Sequence, residues 1–140
     1  MDSLVIDTNV FVSALRSADG ASRAVIRRCL QGQYQPCMSL ALFSEYLDVM
    51  GRERLFKDSP LNSDERQELF YAFIAMCRLV EIYYLWRPNL RDEADNHVLE
   101  IAVAAGAQTI VTYNRADFLG AEVHCPGLHI VVPADLLKGI

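Results

Sequence analysis

Apolar residues fall along this chain in two alternating rhythms. Residues 3–7 (Ser-Leu-Val-Ile-Asp) form a short β-branched run that ends in a carboxylate, the mark of a buried strand. Residues 21–31 place Ala21, Ala24, Val25, Cys29 and Leu30 on one helical stripe, and Gly32 follows as a stop. Residues 36–38 read as a short strand. Ser39 then caps a helix that runs to about Met50 and closes at Gly51. A short helix fits near residues 53–57. Asn62 or Ser63 caps a strong helix from Asp64 to about Val80, with Leu69, Phe70, Phe73, Ile74 and Cys77 turned inward.

Residues 81–84 read as a strand, and Pro88 interrupts the polar loop 87–93. Asp92 opens a helix to about Ala105, which stops at Gly106. Residues 109–112 (Thr-Ile-Val-Thr) and 128–132 (Leu-His-Ile-Val-Val) are two further buried strands, and Pro133 starts a last short helix through Leu137. Strands that alternate with helices imply right-handed crossovers. The expected fold class is α/β: a mostly parallel sheet with helices on both faces, in one domain over residues 1–140.

Composition narrows the class. At 140 residues, 52% hydrophobic and 22% charged, the chain has a core large enough to fold without metal or disulfide staples. No apolar run has the length of a membrane span, and Asp2 and Asp7 inside the N-terminal apolar stretch argue against a signal peptide. The four cysteines are scattered, with no C-x-x-C pair, so they read as reduced thiols of a cytoplasmic protein. A net charge of −5 speaks against a nucleic-acid partner, but the cations are clustered. Arg23, Arg27 and Arg28 share one side of a helix, with Arg16 before it, and Arg52, Arg54 and Lys57 form a second group. Phosphate contact and ordinary solvated faces both account for them.

Ligands of an open parallel sheet bind beyond the carboxyl ends of its strands. Asp7 ends the first strand there, and Thr112, Asn114 and Asp117 follow the strand at 109–112. Asp92 and Asp95 begin the helix that leads into it. Asp7 also suits a helix N-cap, but it follows Leu4-Val5-Ile6 with no basic residue before Arg16, and a bound cation would offset its desolvation. Glu45 lies on a helix that is apolar nearly all round, hence expected to be buried on two sides; Asp48 looks like the solvated acid. Helix-dipole and turn-capping roles remain open for Asp92, Asp95 and Asp117. His97 reads as structural or peripheral. The chain has no P-loop, no G-x-G-x-x-G and no G-x-S-x-G elbow.

Leu4-Val5-Ile6-Asp7-Thr8-Asn9-Val10 resembles the opening motif of PIN-domain nucleases. Ser44-Glu45-Tyr46, Asp95-Asn96-His97 and Ile110-Val111-Thr112-Tyr113-Asn114-Arg115-Ala116-Asp117-Phe118 resemble the second, third and fourth. Val132-Pro133-Ala134-Asp135-Leu136-Leu137 looks like the tail of VapC-like toxin components of bacterial toxin–antitoxin pairs. The resemblance implies a three-layer α/β/α sandwich and an acidic site for Mg²⁺ or Mn²⁺ formed by Asp7, Glu45, Asp95 and Asp117, assisted by Thr112 and Asn114. It implies hydrolysis of RNA phosphodiester bonds, an antitoxin protein as partner, and a homodimer. Many relatives carry Asp where this chain has Asn114, so Asp117 stands as the fourth acid. Hard oxygen donors without a His/Cys set suit Mg²⁺ or Mn²⁺ rather than zinc. Two other readings stay open. One is a catalytically weak PIN-fold binding or scaffold module. The other is a phosphatase or phosphotransfer domain using Asp7. Exposed-looking aromatics at Tyr83, Tyr84 and Trp86 suggest an interface.

Overall fold

A computed structural model describes residues 2–82, 93–118 and 125–139; over 93–96 it describes the helix but not its side chains. Leu4, Val5 and Ile6 are buried on both faces of strand β1 (Asp2–Ile6), as a central strand of a parallel sheet requires. On one side β1 pairs with β2 (Tyr34–Met38), which pairs with β3 (Arg78–Leu79). On the other it pairs with β4 (Thr109–Val111), which pairs with β5 (His129–Val131). The order β3-β2-β1-β4-β5 is parallel throughout, with Val5 opposite Ile110 and Leu4 opposite Pro36. Pro36 lacks an N–H, and the ladder to β3 begins only at Cys37, so the missing donor falls beyond that pairing.

The helices lie on both sides of this sheet, as expected. Helix α1 (Thr8–Arg16) follows β1 and packs on α2 (Ala21–Leu30). Gly32, at φ 79°, turns the chain after α2 into β2. Helix α3 (Leu40–Met50) starts at Ser39, whose Oγ accepts from the Leu42 N–H at 3.1 Å. A 3-10 turn spans Glu53–Phe56, and α4 (Ser63–Met76) begins with a full capping box between Asn62 and Glu65. Helix α5 (Glu93–Ala105) packs on β1, β2 and β4, while α2 meets α4 and the closing helix α6 (Pro133–Leu137). Together these form the α/β/α sandwich. Phe11, Tyr46, Phe70 and Phe73 interlock in its core, with Phe11 5.3 Å from Tyr46 and 5.2 Å from Phe73 between ring centres.

Three expectations need correction. Helix α4 ends at Met76, not near Val80, because Cys77 is extended and Arg78–Leu79 pair with Cys37–Met38. The strand expected at 81–84 is therefore this earlier one; residues 83 and 84 lie outside the described residues. Helix α3 is not buried on two sides. Leu40 is 71% exposed and Leu47 49%, and only Leu42 and Tyr46 are fully buried. The loop around Pro88, Asp92, and the aromatics Tyr83, Tyr84 and Trp86 also lie outside the described residues.

Candidate active site

The chain leaves β1 for β2 on one side and later returns to β4 on the other. The carboxyl ends of β1 and β4 thus flank the topological switch point, where an open sheet leaves a crevice. Asp7 and Thr112 are the residues that follow those two strands. Asp7 is 5% exposed and Thr112 fully buried.

Three bonds fix the Asp7 carboxylate, and a fourth fixes its backbone. Oδ1 accepts from the Thr8 N–H at 2.8 Å, so Asp7 does cap α1. Oδ2 accepts from Thr112 Oγ1 at 2.9 Å and from Asn9 Nδ2 at 3.3 Å. The backbone N–H of Asp7 donates to the Val111 carbonyl at 3.0 Å. Thr112 Oγ1 also accepts from the Asn114 N–H at 3.0 Å, so one hydroxyl links the two strand ends. Burial raises the Asp7 carboxyl above its ordinary value, the bonds from Thr112 and Thr8 oppose that, and the nearby Asp117 charge adds to it.

Asp7 opens into a cleft of about 630 Å³. Glu45, Asn114, Asn9, Arg16 and Asp58 also line it. Glu45 comes from α3, anchored next door by Tyr46, whose hydroxyl donates to the Ile6 carbonyl at 2.6 Å. Asp58 reaches the cleft because Ser59 Oγ donates to the Leu15 carbonyl at 2.5 Å and ties that turn to α1. Asp117 sits in the 3-10 turn Arg115–Phe118, half-buried and close enough to act on Asp7, though not on the cleft wall. Asp95 lies on α5, and its side chain is outside the described residues.

Asn9 stands in the sequence only as one residue of the opening motif, with no role assigned to it. Its Nδ2 donates to Asp7 and, at 3.3 Å, to Thr112 Oγ1, and its Oδ1 accepts from the Tyr113 N–H at 3.2 Å. Its place two residues after the strand-end acid was the available signal. Asp58 had none. His97 lines a second cavity of about 460 Å³ with Leu79, Val80 and Glu100, and does not line the Asp7 cleft. Asp48 is exposed and pairs with Arg52 at 2.5 Å, as its solvated reading required. Of the first arginine group, Arg23 turns back on the protein: its Nε donates to the Ala14 carbonyl at 2.7 Å, and burial lowers its pKa.

Among the described residues, no three His, Cys, Asp or Glu side chains gather closely enough to hold a metal ion. The donors on the cleft wall are nevertheless of one chemical kind. Asp7, Glu45 and Asp58 offer carboxylate oxygens and Asn114 an amide oxygen, with neither histidine nor cysteine among the lining residues. That set fits a hard divalent cation, which would also relieve the desolvated Asp7 charge. No described helix is long and apolar enough to cross a membrane.

No curated protein matches the chain in sequence. Among solved structures, the fold matches that of VapBC2 from Rickettsia felis bound to a DNA fragment from their promoter. The TM-score is 0.55 at 14% identity, over 91% of this chain and 96% of that one. The sequence model of the PIN domain matches residues 3–116, from β1 past Asn114 into the 3-10 turn Arg115–Phe118, and the chain therefore belongs to the PIN domain family.

Proposed function

We propose that the protein is a metal-dependent endoribonuclease and the toxin half of a toxin–antitoxin pair. One observation carries the reading: a buried carboxylate, Asp7, is held by Thr112 and Asn9 at the switch point of a PIN-family sheet and faces a cleft shared with Glu45 and Asn114. The fold match to VapBC2 and the VapC-like closing segment support the toxin assignment.

Asp7, Glu45, Asp95 and Asp117 would hold Mg²⁺ or Mn²⁺, with Asn114 at their margin. Such an ion supplies charge stabilisation to a phosphodiester and acidifies a water. The chain's own part is positioning. Thr112 and Asn9 fix one Asp7 oxygen and the Thr8 N–H the other, so the carboxylate is preorganised. Exposed Arg16 on the cleft wall meets an RNA phosphate, giving an acidic protein a local and salt-sensitive hold on its substrate.

The test is cleavage of single-stranded and structured RNA by the purified protein with Mg²⁺ or Mn²⁺, and with EDTA. Cleavage should need the metal and fall by about 100-fold or more in Asp7→Asn. Metal-independent cleavage, or an Asp7→Asn variant as active as the parent, overturns the mechanism. A calorimetric titration that shows no Mn²⁺ binding at millimolar metal would favour a binding or scaffold role, which Asn114 in place of an acid also suggests.

A further inference from the structure

Tyr113 stands between Thr112 and Asn114, the two residues that join the Asp7 network to the cleft wall. A surface tyrosine usually packs its ring against protein and keeps its hydroxyl in water. Here the hydroxyl is tied to the protein: it shares a 2.6 Å hydrogen bond with Ser22, a residue of α2 that is only 2% exposed. The backbone N–H is tied as well, to Asn9 Oδ1 on α1 at 3.2 Å. Yet the residue is 47% exposed. A side chain held by its hydroxyl, on a backbone held too, yet nearly half exposed, fills no core; it stands beside Asn114 of the cleft wall without lining the cleft itself. It has surrendered its rotamer freedom before any ligand arrives, which lowers the entropic cost of binding a flat group.

We propose that Tyr113 is a stacking platform for a nucleobase of single-stranded RNA, next to the phosphate held in the Asp7 cleft, with Ser22 and Asn9 fixing the ring. The proposal rests on the ribonuclease reading above. It makes Tyr113 a residue that places the strand and sets which nucleotide lies beside the scissile bond. Stacking tolerates any base, because every base has a π-face, so the expected preference is for an unpaired nucleotide at one position rather than for a sequence.

The experiment maps the cleavage site in a single-stranded oligoribonucleotide, then places one abasic nucleotide at each position around it. For the parent protein, one abasic position should lower kcat/KM by roughly 5- to 100-fold. Tyr113→Ala should lose about the same factor on the intact oligonucleotide and become indifferent to that abasic position. Tyr113→Trp, which keeps a stacking face without the Ser22 bond, should recover most of the loss and the positional sensitivity. Equal losses of Tyr113→Ala on intact and abasic substrates mean a merely structural role and overturn the proposal. So does parental activity of Tyr113→Ala on the intact substrate. If the parent itself cleaves no RNA with metal present, the ribonuclease reading falls and takes this proposal with it.

Discussion

Thr112 Oγ1 lies 2.9 Å from Asp7 Oδ2, across 105 residues of chain, and this bond ties together the side chains that follow β1 and β4 at the switch point. The same oxygen receives the Asn114 N–H, so the hydroxyl serves both the carboxylate and the loop behind it. Thr112→Val keeps the shape and removes the hydroxyl. It should cost about 1–3 kcal/mol in urea denaturation, because a buried carboxylate loses a donor and a backbone N–H loses an acceptor. RNA cleavage should fall by roughly 10- to 100-fold, the usual effect of removing a partner that orients a metal ligand. Thr112→Ser should retain most of both. A valine variant as stable and active as the parent would show that Asp7 is held without this bond.

The Asp7 carboxyl titrates above its ordinary value of 3.8, chiefly through desolvation. The folded state therefore binds that proton more tightly than the unfolded state does. Stability from this residue is greatest below the unfolded value and is lost as pH rises through the raised folded value. In metal-free buffer, the melting temperature of Asp7→Asn relative to the parent should climb as pH rises above the ordinary value of 3.8. Added Mn²⁺ should close the gap by stabilising only the parent. A difference that is flat with pH would mean that the ionised carboxylate carries no net desolvation cost.

Helix α4 offers a control far from the chemistry. Asn62 Oδ1 accepts from the Glu65 N–H at 2.9 Å, and Glu65 Oε1 accepts from the Asn62 N–H at 2.9 Å. Asn62→Ala should lower the unfolding free energy by about 1 kcal/mol. It should leave RNA cleavage per folded molecule unchanged, since no cleft-lining residue belongs to α4. A matching loss of activity would mean that α4 supports the cleft through α2.

Local chemistry made much of this legible. Ser39, Asn62 and Asp7 announce their helices because short polar side chains satisfy the first N–H groups, and Leu4-Val5-Ile6 can only be a strand buried on both faces. The meeting of Asp7, Thr112 and Asn114 at one rim of the sheet was readable from their place after strands. The signal failed where a distant partner decides. The periodicity of α4 runs through Cys77, but pairing with β2 pulls the following residues into β3. Apolar residues all round α3 suggested burial on two sides, whereas the neighbouring helices α1, α4 and α5 cover only part of it, leaving Leu40 and Leu47 exposed. Asn9 looks like a turn residue until Thr112 and Tyr113, over a hundred residues away, are brought beside it.

Tyr46 tests whether the core and the site are one mechanical unit. Its ring is fully buried between Phe11 and Phe73, and its hydroxyl donates to the carbonyl of Ile6, the residue before Asp7. Burial holds its pKa well above the ordinary tyrosine value, so it remains a donor at any working pH. Tyr46→Phe keeps the ring and leaves that carbonyl without this partner, which should cost about 1–2 kcal/mol. Because the carbonyl belongs to the peptide that carries Asp7, cleavage should also fall several-fold at saturating metal, unlike in Asn62→Ala. Cleavage rates for the two variants, compared at equal stability by adjusting urea, separate the effects. Equal rates would show that Tyr46 supports the fold alone; a slower Tyr46→Phe would show that the hydroxyl sets where β1 presents its carboxylate.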